Sequence, residues 1–322
     1  MTRWFIRRSA GLLLLAVACL CAAPETRAQR PLLSPDAAPR APRSVRYDVA
    51  TAKAHARADV PPAAYADDFA YPSPVADPVE QVNALPDAAP LEKRFGAENR
   101  LLVTNTSNYP WRTICKLEIT FPKAKLPGTG AIIDSQYVLT AGHCVFNPKY
   151  GGWALSVKVI PGLNGTATPP FGSARADWMQ TFWEWTEDNN PDYDMALIAL
   201  DAPLGDSTGW MGHGVFSDLD GAWAYVSGYP TDLPSKTSPL RGKRQYWDSG
   251  ALTFFEGDQE SVYYQMDTGI GQSGAPVFRA IGGKYYILAV HAGEVASGEF
   301  NLATRITSGK FNRIHSWIAA AE

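Results

Sequence analysis

Beyond its first 28 residues the 322-residue chain has only two cysteines, Cys115 and Cys144. A scaffold knitted by several disulfides is therefore excluded, and at most one bridge can form. An excess of charge of either sign is also missing, with 29 Lys and Arg against 32 Asp and Glu. The formal net charge of −3 gives no basis for binding nucleic acid or an anionic membrane surface. No hydrophobic run is long enough to span a bilayer, the apolar stretch from Gly11 to Cys21 falling well short. Helical periodicity is almost absent, which argues against a bundle. Glycine, cysteine and tryptophan are missing altogether from residues 29–92.

What is present divides the chain into three. Arg3, Arg7 and Arg8 precede the short apolar run, and Thr26-Arg27-Ala28 is a small-residue cleavage sequence before Gln29, so residues 1–28 have the form of a secretory signal. An uncleaved anchor, or a lipoprotein signal ending at Cys19, are the competing readings. Residues 29–92 carry 16 alanines and 11 prolines in 64 positions. Proline at that density breaks helices and strands and leaves little for a core, so a propeptide or linker is expected. From residue 93 to 322 the composition is that of one globular domain, holding nine of the ten tryptophans.

Within that domain, short apolar runs alternate with turn residues. Examples are Thr113–Phe121, Gly130–Leu139, Met195–Leu200, Ser261–Met266 and Tyr285–His291, with Asn164-Gly165 and Gly282-Gly283 as tight-turn signals. Only the C-terminus differs, where Phe311, Ile314 and Ile318 fall at helical spacing. The predicted fold is all-β: two packed six-stranded antiparallel barrels with a C-terminal helix.

Three motifs carry chemistry: Thr140-Ala141-Gly142-His143-Cys144, Asp194 directly before the apolar run Met195–Leu200, and Gly271-Gln272-Ser273-Gly274-Ala275-Pro276. A serine hydroxyl needs a base to take its proton, and an imidazole base needs a carboxylate to fix its tautomer. The order His, Asp, Ser excludes the subtilisin order and that of α/β-hydrolases. His143 is the expected general base, Asp194 its carboxylate and Ser273 the nucleophile. Asp188, Asp192 and Asp201 are alternatives to Asp194 that read as loop surface. The glycines flanking Ser273 would turn the chain so that the N–H groups of Gly271 and Ser273 converge as an oxyanion hole. The chain thus reads as a serine endopeptidase acting on protein or peptide substrates. It is expected to be secreted or periplasmic and monomeric, with no cofactor, no metal, no nucleic-acid partner and no membrane association after signal removal. Once the signal is gone, Cys115 and Cys144 remain as an exported pair and are expected to form one disulfide.

From about residue 93 the chain resembles the glutamyl endopeptidases, bacterial chymotrypsin-like proteases. The similarity runs through Val103-Thr104-Asn105-Thr106, Tyr109-Pro110-Trp111-Arg112, Pro161-Gly162-Leu163-Asn164-Gly165-Thr166, Ser227-Gly228-Tyr229-Pro230, Gln265-Met266-Asp267-Thr268, Leu288-Ala289-Val290-His291 and Thr304-Arg305-Ile306-Thr307. The resemblance implies secretion as a zymogen and cleavage after acidic residues, glutamate preferred, with Thr268 and His291 reading the substrate carboxylate. It also places the mature N-terminus at Lys93, directly after Glu92. Asp267 stands at the spacing where trypsin-like enzymes bind Lys or Arg, so cleavage after basic residues is the alternative, and a non-enzymatic pseudoprotease is the third. The chain departs from the family at three places. Gly128 occupies the region of the usual partner of the cysteine after the histidine, so either Cys115 takes that place from a neighbouring strand or Cys144 is free; Ile270 replaces a glycine, and Ala275 replaces a serine.

Overall fold

The computed structural model describes residues 43–58, 70–71, 98–295 and 297–321. The boundaries drawn at 28/29 and 92/93 lie outside them. The strands, in chain order, are β1 (Arg43–Asp48), β2 (Lys53–Ala58), β3 (Ala70–Tyr71), β4 (Leu101–Leu102), β5 (Ile114–Thr120), β6 (Lys125–Ile132), β7 (Tyr137–Thr140), β8 (Phe146–Asn147), β9 (Gly152–Trp153) and β10 (Ser156–Pro161). They continue with β11 (Ala174–Phe182), β12 (Ala196–Leu200), β13 (Gly212–Gly214), β14 (Trp223–Gly228), β15 (Tyr246–Thr253), β16 (Ser261–Tyr264), β17 (Pro276–Ile281), β18 (Lys284–Glu294) and β19 (Asn301–Arg305). Helices are few: α1 (Trp183–Thr186), α2 (Gly205–Thr208) and the closing α3 (Ser308–Ala319).

Two closed six-stranded barrels account for most of these strands. The first runs β10-β5-β6-β7-β12-β11 and closes where β10 meets β11; the second runs β17-β14-β15-β16-β19-β18 and closes through β17 and β18. Closure satisfies both edges of each sheet, which is how an all-β chain avoids exposed backbone. The expected architecture is the observed one. Alternating residues such as Leu117 and Ile119, the wholly buried run of β12 and cross-strand pairs such as Val226 and Val277 fill the interiors. Helix α3 buries Phe311, Ile314, Trp317 and Ile318, as its spacing predicted, with Trp317 packed 4.8 Å from Phe182.

Thr129 of β6 ties the barrels together. Its hydroxyl donates to the Gly271 carbonyl at 2.7 Å and accepts the Tyr229 N–H at 3.1 Å, while its own N–H donates to the Ser273 carbonyl at 2.9 Å. A Cβ at Gly228 would lie 2.7 Å from that hydroxyl, which is why the Ser227-Gly228-Tyr229-Pro230 turn uses glycine.

One expectation is corrected here. The Ala/Pro-rich segment 29–92 was expected to lack strands, yet residues 43–58 form the β1–β2 hairpin, which extends the first barrel from β11, and Ala70–Tyr71 pairs with β13. Proline is dense on either side of the hairpin, but none lies between Arg43 and Ala58, and Val45 and Tyr47 alternate with polar residues and are buried.

Candidate active site

His143 sits on a short turn, Gly142–Cys144, at the end of β7, and Asp194 caps the turn Pro191–Tyr193 immediately before β12. Pairing of β7 with β12 brings the two strand ends together. Asp194 grips His143 twice: Oδ1 accepts the backbone N–H at 2.7 Å and Oδ2 lies 2.7 Å from Nδ1. With Asp194 only 5% exposed, the carboxylate has little water to turn to. Gly142 has no room for a side chain, since its Cβ would stand 2.9 Å from Trp185 and 3.0 Å from Asp194. Burial alone would hold His143 unprotonated, but the Asp194 carboxylate outweighs it and raises the imidazole well above its ordinary value. Trp185, 6.4 Å away between ring centroids, walls the imidazole and is fixed by its Nε1 donating to the Phe146 carbonyl at 3.0 Å.

The Ser273 loop is held by backbone bonds on every side. Gln272 N–H donates to the Gly269 carbonyl, Gly274 N–H to the His291 carbonyl and Ala275 N–H to the Gln272 carbonyl, all within 2.8–2.9 Å. Gly271 (φ 103°) and Gly274 (φ 83°) take the left-handed region, and a Cβ at Gly271 would stand 2.5 Å from the Tyr229 carbonyl. Among the described residues, the N–H groups of Gly271 and Ser273 donate to no other backbone group. The loop lies against the histidine turn, with Cys144 Sγ 3.6 Å from the Ser273 carbonyl.

Around the expected specificity pocket, His291 is 4% exposed, and its Nδ1 lies 2.7 Å from the Tyr264 hydroxyl. Burial, with added repulsion from His143, pushes His291 down to about 3. His291 is therefore neutral at neutral pH. Thr268 is half-buried on the same approach to the loop, and Ile270 is 78% exposed, so its extra bulk faces solvent. Asp267 is engaged elsewhere, its Oδ2 accepting the Asn99 N–H at 2.8 Å and its N–H donating to Asp248 at 2.8 Å. Burial raises its carboxyl above the ordinary range.

Sequence reasoning missed Arg100. Its guanidinium, 3% exposed, is paired with Glu98 at 2.6 Å and Asp232 at 2.5 Å, and donates to Gln272 Oε1 at 3.1 Å. The same Gln272 oxygen accepts the Gly269 N–H at 2.9 Å. Arg100 therefore braces the residue next to Ser273 from outside both barrels. Burial opposes its charge, but Glu98 and Asp232 more than offset that, so it stays cationic.

The expected disulfide does not form, and Cys115 and Cys144 are separate buried thiols. Cys115 Sγ lies 3.4 Å from the Thr113 carbonyl, whereas Cys144 Sγ lies over Gly128, 3.3 Å from where a Cβ there would be. The position facing Cys144 is thus Gly128, which has no sulfur to offer, while Cys115 pairs one step along, opposite Gly130.

Residues 128–284 match the trypsin-like peptidase domain family. Over 237 residues the chain is 33% identical to the glutamyl endopeptidase of Bacillus licheniformis, covering 71% of this chain and 70% of that protein. The chain belongs to the glutamyl endopeptidase family. A Bacillus subtilis protein named extracellular metalloprotease is 29% identical over 233 residues, covering 69% of each chain. A solved glutamyl endopeptidase in complex with MPD superposes with a TM-score of 0.62 at 28% identity, covering 71% of this chain and 99% of that one. The protein is accordingly a trypsin-like serine endopeptidase, a hydrolase of protein or peptide substrates. No helix among the described residues is long and apolar enough to cross a membrane.

Proposed function

We propose that this protease cleaves peptide bonds after acidic residues, glutamate preferred, through His143, Asp194 and Ser273. His143 Nε2 takes the Ser273 proton as Oγ attacks the carbonyl carbon, while the N–H groups of Gly271 and Ser273 receive the developing oxyanion. The proton passes to the leaving amine, the acyl-enzyme remains, and water activated by the same imidazole releases the acid and restores Ser273. Asp194 keeps the second imidazole nitrogen protonated and facing away from the serine.

The observation that carries the specificity reading is the buried pair Tyr264 and His291. In the tautomer in which Nδ1 accepts from the tyrosine hydroxyl, the neutral ring carries its proton on Nε2, a donor suited to a carboxylate that is costly to bury without a partner. Thr268 adds a hydroxyl donor. The rival reading, cleavage after Lys or Arg through Asp267, is weakened because that carboxylate already accepts the Asn99 N–H. The pseudoprotease reading is weakened because no triad residue is missing.

Residues 1–28 act as the export signal and residues 29–92 as the propeptide of a secreted zymogen. Cutting after Glu92 is self-processing, since the proposed specificity would recognise that residue. Lys93-Arg94 offers a basic-specific activator the same stretch of chain. The working enzyme contains a single copy of the catalytic domain. Kinetics of wild type and His291→Ala on matched Glu, Asp, Lys and Leu substrates test the pocket. His291→Ala should lose far more on Glu than on Leu, and an equal loss on all four would remove His291 from specificity.

A further inference from the structure

The first barrel closes through only two register pairs between β10 and β11, Lys158 with Arg175 and Val159 with Ala174. Beyond them β11 continues to Phe182 with no β10 partner, although Trp178, Met179, Gln180, Thr181 and Phe182 are all buried. An edge of that length would be a template for pairing with another chain. Strand β1 fills it with five consecutive antiparallel pairs, from Ser44 with Phe182 to Asp48 with Trp178.

Side chains reinforce the added strand. Gln180 Nε2 donates to the buried Ser44 hydroxyl at 2.6 Å, and Tyr47 stacks on Trp153 at 5.2 Å with ring planes 7° apart. Arg46 lies 4.3 Å over the Trp178 ring and is tied to Asp48 at 2.9 Å. At the far end, Arg313 of α3 donates to the Arg43 carbonyl while also pairing with Glu184 of α1 at 3.0 Å. Helix α1 carries Trp185, the wall behind His143. The hairpin thus supports a segment that reaches the catalytic base.

We infer that the hairpin 43–58 is a permanent part of the first barrel, which stays bound by strand addition after the chain is cut ahead of the catalytic part, so that the working enzyme is a non-covalent two-piece assembly. The 39 residues between Ala58 and Glu98 contain the proposed cut after Glu92, and none of the contacts of β1 named above passes through them. The natural cut at Glu92 belongs to the proposed function; the binding of the hairpin does not depend on it.

The test uses the full-length Ser273→Ala protein with residues 80–85 replaced by the recognition sequence of an unrelated protease. That protease makes the cut, so neither the activity nor the specificity of this chain enters the result. After complete cutting, native gel filtration and intact mass spectrometry should find the piece bearing residues 43–58 in the same peak as the catalytic piece, at one-to-one stoichiometry. Val45→Asp with Tyr47→Asp in the same protein should release the small piece. Elution of the unaltered piece on its own would overturn the inference, as would co-elution that survives the double substitution.

Discussion

Arg100→Met removes the brace on the catalytic loop while keeping most of the side chain's apolar length. The guanidinium gives up bonds to Glu98, Asp232 and Gln272. Removing one side of a buried pair costs about 3–5 kcal/mol where the partners stay dry. Here Glu98 and Asp232 are partly exposed and regain water, whereas Gln272 is fully buried and does not. The Gln272 oxygen keeps the Gly269 N–H as its one remaining partner, so the loop loosens without being released. A net destabilisation of about 2–4 kcal/mol follows, dominated by lost charge-assisted bonds of roughly 1.5–3 kcal/mol each. A catalytic loop displaced by even 1 Å costs on the order of 100-fold in rate, so kcat should fall by about 10- to 100-fold in the folded variant. Denaturant melts give the first quantity, and steady-state kinetics on an ester substrate, well below the melting transition, give the second. Arg100→Lys should recover part of the stability and little of kcat, because a point charge cannot span Asp232 and Gln272 as the planar fork does. A stability loss with kcat unchanged would refute the positioning role and leave Arg100 as a structural ion pair alone.

Other expectations are as direct. Ser273→Ala should lower turnover by several orders of magnitude, up to about a million-fold, with the melting temperature nearly unchanged; substantial residual kcat in the folded variant would remove Ser273 as nucleophile. Thiol titration of the unfolded, unreduced piece that begins after residue 92 should find two free thiols, Cys115 and Cys144, and finding none would show that they pair. The reaction needs His143 unprotonated, and Asp194 raises that imidazole above its usual range. Activity should therefore fall as pH drops through a midpoint above about 6.5, and Asp194→Asn should lower both the midpoint and the rate. A midpoint below that value in wild type would contradict the Asp194 contact.

The barrels and the pairing of His143 with Asp194 were legible because each depends on local signals: strand alternation, turn glycines, and a residue type at the end of an apolar run. Asp194 could be chosen over its neighbours because the buried apolar run Met195–Leu200, which contains β12, begins right after it. The hairpin escaped because composition was averaged over 64 residues, hiding a proline-free window with alternating Val45, Tyr47 and Val49. Its turn gave no warning either, since Ala52 takes the left-handed conformation (φ 52°) where glycine or asparagine would have marked it. The disulfide was inferred by counting the cysteines left after export, and counting cannot see that Cys144 faces Gly128. Arg100 carries no motif of its own, and its partners stand 132 and 172 residues away. The state of His291 follows from burial, which residue order does not report.

The most direct test of the central claim is a cleavage map. Purified processed enzyme is incubated with a peptide library of equal amino-acid representation, and the cut bonds are identified by mass spectrometry. Cuts should cluster after Glu, with Asp second, and should vanish with Ser273→Ala. Cuts clustered after Lys or Arg would transfer the pocket to Asp267, and a library left intact by the folded, processed protein would contradict catalysis by His143, Asp194 and Ser273 altogether.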